Sequence, residues 1–364
     1  MKPYMPEKLP LKSLDWTKFI RLIGRANFEL AKYGGTLSGI VNPMVLLSPL
    51  VTQEAVLSSK IEGTQATFEE VLKYEAAPEK GTDKIADIQE ILNYRQAIAY
   101  AVDYLERHPY NLNLCKKIHY GLLDSVRGRN KSRGEFRTTQ NWIAKPGEPI
   151  ERATYIPPPP DIVMECMSNF EKYIHYDEED RLVQLAIVHA QFEIIHPFLD
   201  GNGRVGRILI PLFLAEKDML SEPVFYISAY FDENRDIYYE RLNNITRSNS
   251  WEEWITFFLE AIIQQSKNNI EKAQAILNLY GEMKQEIVEV ISSKFSIQVL
   301  DAIFEKPIFN SAFFVQRSGI PKASAIRILK ELNSKGIIDT IKVGKGRRPS
   351  IMAFERLLDI TAYV

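Results

Sequence analysis

The sequence predicts a mainly α-helical protein with one β-hairpin in its middle and a small basic module at its C-terminal end. Three observations carry this reading. Apolar residues recur at helical spacing along most of the first 265 positions. A stretch over 127–160 breaks that period with glycines and prolines. From Lys294 to Arg356, twelve Lys and Arg stand against five Asp and Glu, a local +7 that leaves about −9 on the remainder. The 364 residues correspond to two or three domains at ~150 residues each. Hydrophobic residues at 45% and charged residues at 25% exclude disordered and fibrous classes. The net charge of −2 excludes a surface built throughout to hold a polyanion. Cys115 and Cys166 lie far apart with no CxxC spacing, which fits a reducing compartment and argues against a disulfide framework or a thiolate zinc site. No apolar leader and no run of about 18 apolar residues occur, so a cytoplasmic protein without membrane contact is expected.

The elements follow in order. A helical pattern begins near Trp16, and Ser48–Lys60 reads as a helix with Pro49 in its first turn. Helices follow over 67–74, 84–106 and 112–126, with a polar break at 77–83. Segments 137–143 and 154–156 read as two short strands around the turn at 145–149, and Pro157–Pro160 ends the hairpin. Helices resume over 161–175, 179–195, 203–217, 238–246 and 251–264, then a charged helical connector over 266–293. The expected domains are 1–105, a core over 106–265, the connector, and a terminal module over 294–364.

Chemistry concentrates in residues 196–207, His-Pro-Phe-Leu-Asp-Gly-Asn-Gly-Arg-Val-Gly-Arg. Gly201, Gly203 and Gly206 fit G-x-G-x-x-G, but Leu185, Val188, Phe192 and Ile195 put a helix where a dinucleotide fold needs a strand. What remains is a helix, a Gly-Asn-Gly turn and a second helix, an arrangement whose backbone amides form an anion nest. Asp200 offers a hard oxygen suited to Mg²⁺ on phosphate. Arg204 and Arg207 are three apart and reach phosphate from one side. His196, at the end of the first helix, suits a general base. Base, metal ligand, nest and arginines together describe phosphoryl or nucleotidyl transfer.

This segment resembles, without a departure, the Fic family signature H-x-F-x-[DE]-G-N-G-R-x-x-R. Residues 134–143, 153–160, Tyr238-Tyr239 and 251–258 are similar as well, so the resemblance spans about 40–265. It implies a Fic-type helical core with a flap at 137–156, and transfer of AMP from ATP with Mg²⁺ to a Ser, Thr or Tyr hydroxyl of a target protein or of itself. His196 would be the base and Asp200 the Mg²⁺ ligand. Gly201, Asn202, Gly203, Arg204 and Arg207 would hold the phosphates, with Tyr238 and Tyr239 in the nucleotide site. The flap would align the target by strand addition. Homodimers are frequent among such proteins.

Ser58 and Glu62 share a helix face, and Ser-Ser-Lys-Ile-Glu-Gly resembles the family's inhibitory pattern [S/T]-x-x-x-E-[G/N]. On that resemblance Glu62 pairs with Arg207 in place of the ATP γ-phosphate; the same glutamate could instead orient a water that removes AMP from modified targets. The tail reads as helices over 295–304, 311–317 and 321–335, then strands over 337–343 and 349–354. It resembles a winged helix-turn-helix, with Ser324, Arg327 and Lys330 facing DNA and Lys345, Arg347 and Arg348 on the wing. Docking or dimerisation is the alternative use of that tail, and a DNA-binding regulator with a nucleotide-sensing core is the alternative for the whole chain. His108, His119 and His175 show no partner pattern, and His189 lacks zinc-site spacing.

Overall fold

Helix starts follow the local chemistry of the chain. Asp180 accepts from the amides of Leu182 and Val183 at 3.0 and 2.9 Å, Thr67 and Glu70 form a reciprocal capping box, and Pro49 sits in a first turn. The computed structural model describes residues 2–40, 42–78, 84–124, 131–144, 147–346 and 348–362. The expected helix end at Val126, the flap turn at Lys145 and the wing residue Arg347 lie outside the described residues.

Among the described residues, the α-helices before the flap are α1 (Ile20–Ser38), α2 (Pro43–Leu46), α3 (Ser48–Ile61), α4 (Phe68–Ala76), α5 (Ile85–Leu105) and α6 (Leu112–Leu122). After it come α7 (Val163–Ile174), α8 (Arg181–Ile195), α9 (Asn202–Glu216), α10 (Ser228–Glu233), α11 (Arg235–Ser248) and α12 (Trp251–Ile291). Helix α8 is the axis of the core. It is buried around its whole circumference because α1, α7, α9, α11 and α12 pack against it. Trp254 of α12 is fully buried and donates its indole N–H to the Ala186 carbonyl at 2.8 Å. Among the described residues no helix is long and apolar enough to cross a membrane.

Two expectations are corrected here. The flap strands reduce, among the described residues, to a single bridge between Ile143 and Tyr155. Arg137 is the cause: its buried guanidinium donates to the carbonyls of His196 at 2.9 Å and Pro158 at 2.6 Å, drawing the first arm under the neighbouring loop. Pro157–Pro160 then remove the amides a second strand would need. The boundary expected at 265–266 falls inside α12, a continuous 41-residue helix. Ala273, Ile276, Leu279, Met283, Ile287 and Ile291 keep one of its faces buried past that point. The segment is therefore a spine and not a free connector.

The tail runs α13 (Ser296–Glu305), β1 (Ile308–Asn310), α14 (Ser311–Ser318), α15 (Lys322–Ser334), β2 (Asp339–Lys342), β3 (Ile351–Ala353) and α16 (Glu355–Ala362). The expected helices are present and both expected strands are shorter; β1 and α16 were not anticipated. The strands form an antiparallel sheet in the order β1-β3-β2, with Phe309 and Thr340 both opposite Met352. This module docks on the N-terminal helices. Asn310 donates to the Ala76 carbonyl at 2.6 Å, Lys306 pairs with Glu75 at 3.0 Å, and α16 packs on α3 and α12.

Candidate active site

The site is the loop between α8 and α9. His196 ends α8 in the left-handed region, with φ of 48°, and Gly201 precedes α9 with φ of 77°. Those two reversals turn the chain so that the N-terminus of α9 opens beside His196. Asn202, Gly203 and Arg204 are the first residues of α9, so their amides have no intrahelical carbonyl to bond. These amides stand where the sequence leads one to expect an anion nest, whereas the Gly201 amide is taken up by Asp200 Oδ1 at 2.6 Å. The Asn202 side chain is occupied within the loop. Its Oδ1 accepts from Phe198 N and its Nδ2 donates to Phe198 O, both at 2.9 Å, leaving only its main chain for a ligand.

Two side chains without a sequence pattern hold the loop. His119 accepts from Gly134 N at Nδ1 (2.9 Å), so its Nε2 carries the proton and donates to Asp200 O at 3.0 Å. Its ring stacks on Phe198 at 3.8 Å, and burial pushes it down to about 4, which keeps it neutral as this double role requires. Arg137 is the second holder, through the His196 carbonyl. Their partners are main-chain atoms distant in sequence, and no residue spacing encodes such contacts.

The His196 imidazole donates from Nδ1 to the Glu193 carbonyl at 3.3 Å, which leaves Nε2 as an acceptor. Burial pushes its pKa down to about 4, so it is neutral at pH 7. Asp200 is nearly half exposed, at 44%. Its Oδ1 accepts from Gly201 N at 2.6 Å, and the Lys131 ammonium lies 3.7 Å from Oδ2. Among the described residues no cluster of three metal-ligating side chains exists. One exposed carboxylate still fits Mg²⁺, which takes one or two carboxylates and completes its shell with phosphate oxygens and water.

Both arginines are engaged by carboxylates of the chain. Arg204 is buried and pairs with Glu90 of α5 at 2.8 Å. Arg207 is 1% exposed and donates from Nε to Ser58 Oγ at 2.8 Å. Its Nη2 donates to the Ser58 carbonyl at 2.9 Å and to Glu62 Oε1 at 2.6 Å. Burial favours the neutral form of Glu62, but the Arg207 charge and hydrogen bond, with Arg204 and His196, outweigh it and hold the carboxyl below its usual range. Glu62 caps the end of α3, and Gly63 with φ of 101° turns the chain away. A β-carbon at Gly203 would overlap the Glu62 carboxylate, so the acid lies across the mouth of the nest.

The two tyrosines separate. Tyr238, expected in the nucleotide site, turns into the core: it is 1% exposed, stacks on Phe231 at 4.6 Å, and its hydroxyl bonds His189 Nε2 at 3.0 Å. Helical geometry turns one of two adjacent residues inward, and here the aromatic core around Trp254 takes Tyr238. Tyr239 lines a cavity of ≈ 310 Å³ beneath the flap, with Ile143, Tyr155, Glu193 and Leu242.

A family model for Fic/DOC proteins matches residues 109–214, and the model for their N-terminal region matches residues 20–103. The chain belongs to the Fic/DOC family. This Fic chain is 29% identical over 180 residues to a probable protein adenylyltransferase of Aquifex aeolicus, covering 48% of this chain and 51% of that one. It is 31% identical over 97 residues to the protein adenylyltransferase Fic of Drosophila grimshawi, covering 26% and 17%. The alignments therefore span about half of the bacterial relative and less of the other. In fold it is similar to a Fic family protein of Desulfovibrio desulfuricans, with a TM-score of 0.58 at 18% identity over 94% of this chain and 98% of that one.

Proposed function

We propose that this Fic protein transfers AMP from ATP to a hydroxyl of a target protein, and that its resting state is the one in which Glu62 occupies Arg207. The observation that carries the reading is a neutral His196 with Nε2 free to accept, beside the uncapped amides of α9. His196 Nε2 takes the proton of the target Ser, Thr or Tyr hydroxyl, and that oxygen attacks the α-phosphorus. The new P–O bond forms as the bond to the β-phosphate oxygen breaks, and pyrophosphate leaves. The first amides of α9 receive the negative charge of the phosphates, and Arg204 adds to that field from its pair with Glu90. Asp200 would hold Mg²⁺, which supplies charge neutralisation on the phosphates. Arg207 would take the γ-phosphate once Glu62 withdraws. The adenosine end would lie along the cavity lined by Tyr239.

Removal of AMP would need Glu62 as a base toward water. Its low pKa and its bond to Arg207 make it a weak one, so transfer is the better reading. The tail supports a second, separate reading as a DNA-binding winged helix. Lys322, Arg327 and Lys330 are exposed along α15, and Lys345 and Arg348 are exposed on the β2–β3 turn. Duplex binding that falls steeply with salt would support it. The cytoplasm is the proposed compartment, consistent with free Cys115 and Cys166.

Incubation with ATP labelled on the α-phosphate, against ATP labelled on the γ-phosphate, tests the main reading. Stable protein labelling from the first alone is expected. Labelling from the γ-phosphate would make the protein a kinase.

A further inference from the structure

The last turn of α3 uses its carbonyls in order. Ser59 O accepts from the amides of Glu62 and Thr64 at 3.0 and 3.2 Å, and Lys60 O accepts from Gly63 N at 2.9 Å. Ile61 O, the next in line, accepts from a side chain 174 residues away, Nη2 of Arg235. Helix ends leave such carbonyls without an intrahelical donor, and a cation is the partner that suits the negative end of the helix dipole. Arg235 is the first residue of α11, where a cation opposes the dipole of its own helix. Its placement therefore serves α3 and not α11. The Ile61 carbonyl and the Glu62 amide form one planar peptide unit, so this bond fixes the plane from which the Glu62 side chain leaves.

We propose that Arg235 is a positioning residue for Glu62. Its bond to Ile61 O holds the acid on Arg207, and losing that bond shifts the chain toward a state with Arg207 open to phosphate. This role rests on the reading of Glu62 as the brake on AMP transfer and adds the residue that sets it. Two other ties join α3 to α10, and neither reaches the peptide of Glu62. Glu54 accepts from Ser228 N at 3.0 Å and from Ser228 Oγ at 2.5 Å, a buried contact two turns upstream that anchors the body of the helix. Lys60 pairs with Asp232 at 2.7 Å, but its side chain is 57% exposed, and pairs of that kind contribute little. Only the final turn thus depends on Arg235. Tyr239 stands four residues on, on the same face of α11, and lines the cavity beneath the flap. One turn of α11 carries both the clamp on Glu62 and a wall of that cavity.

The test uses the full chain as wild type and as Glu62→Gly, each with and without Arg235→Met. Methionine keeps the apolar stem and removes every donor. AMP incorporation at equal MgATP is measured together with melting, with and without ATP. In the wild-type background Arg235→Met should raise incorporation about tenfold, the usual worth of a hydrogen bond from a charged donor. In the Glu62→Gly background it should change incorporation less than about threefold, because the acid it positions is gone. Arg235→Lys keeps a cationic donor and should stay within about threefold of wild type. An Arg235→Met chain with wild-type incorporation, beside an activated Glu62→Gly, overturns the proposal alone. Equal changes in the two backgrounds overturn it as well, since Arg235 would then act on nucleotide or fold without Glu62. If Glu62→Gly itself leaves incorporation unchanged, the brake fails and this role fails with it. If no chain incorporates AMP, the transferase reading fails, and the ATP-induced melting shift makes the same comparison. Arg235→Met should then enlarge that shift only where Glu62 is present, and equal shifts in both backgrounds overturn the role.

Discussion

Arg204 and Arg207 stand one turn apart on α9, and each is bound by a carboxylate from the N-terminal helices, yet the two pairs are built differently. Glu90 sits mid-helix in α5, its side chain 12% exposed against a 5% exposed Arg204. It cannot leave without moving the helix. Glu62 is the cap residue just after α3 and before Gly63, its side chain 32% exposed against a 1% exposed Arg207. Its release would need movement at that helix end alone. The first pair is built as a strut that fixes α9 to α5, and the second has the build that the proposed latch requires. Burial of the carboxylate partner, and its distance from a helix end, distinguish the two where charge and spacing do not.

The largest expected effect comes from the base that both pairs frame. His196→Ala should lower AMP transfer about 10²–10⁴-fold while ATP binding persists, measured by labelling and by nucleotide-induced melting shifts. Near-normal labelling would remove His196 from the mechanism. Its pKa of about 4 lies below the unfolded value of about 6.5, so the base stays neutral and transfer should be flat from pH 8 to about 6. His119 at about 4 and His189 at about 3 are depressed in the same way by burial. Their stability contribution is full above about 6.5 and declines as pH falls toward the folded values. Acid unfolding should therefore begin below pH 6.5 and before most carboxylates titrate.

Breaking the strut is next. Glu90→Ala leaves the buried Arg204 with the partly exposed Asp200 carboxylate at 3.8 Å and the charge of Glu62 among the described residues. Removing one partner of a buried pair costs about 3–5 kcal/mol, read in urea melts. A loss below about 1 kcal/mol would make this pair no different from an exposed one.

Releasing the latch should act on rate. Glu62→Gly frees Arg207 for a γ-phosphate, and misalignment relieved at a reacting group is worth about 10²-fold. Incorporation of AMP by wild type, Glu62→Gly, and Glu62→Gly with Arg207→Ala at equal MgATP tests this. The gain should vanish in the double variant. Unchanged incorporation in the single variant would make Glu62 a strut as well.

Much of this contrast was visible in residue order, because short-range chemistry builds the site. The apolar period of α8, the Gly-Asn-Gly turn and the spacing of Arg204 and Arg207 are local, whereas the pairing of Glu62 with Arg207 was expected only from the resemblance of Ser58–Gly63 to the family's inhibitory pattern. What was missed is tertiary. His119 and Arg137 act through carbonyl oxygens 81 and 59 residues away. Glu90 finds Arg204 across 114 positions, with no periodic signal to announce it. Tyr238 and Tyr239 are the same residue type side by side, and only the helix rotation that packs Phe231 decides which one faces a ligand. The polar Gln264-Gln265-Ser266 run imitated a helix end, whereas Gln265 and Ser266 are buried inside α12.

The smallest effect expected is also the one that tells the two halves of the latch apart. Ser58 is fully buried and binds Arg207 twice, through Oγ to Nε and through its carbonyl to Nη2. Ser58→Ala removes only the first of these contacts. The buried Nε–H then lacks an acceptor, which costs about 1–3 kcal/mol of stability. The Ser58 carbonyl and the Glu62 carboxylate still hold Nη2, and both the charge and the position of the latch are retained. Transfer should therefore change by less than about threefold while the melting temperature falls, the reverse of Glu62→Gly, where rate moves most. A threefold change corresponds to about 0.65 kcal/mol, well under the shift expected from releasing Arg207. If Ser58→Ala activates transfer as strongly as Glu62→Gly, the hydroxyl and the acid form one cooperative latch. Arg207 would then be positioned by Ser58 and only neutralised by Glu62.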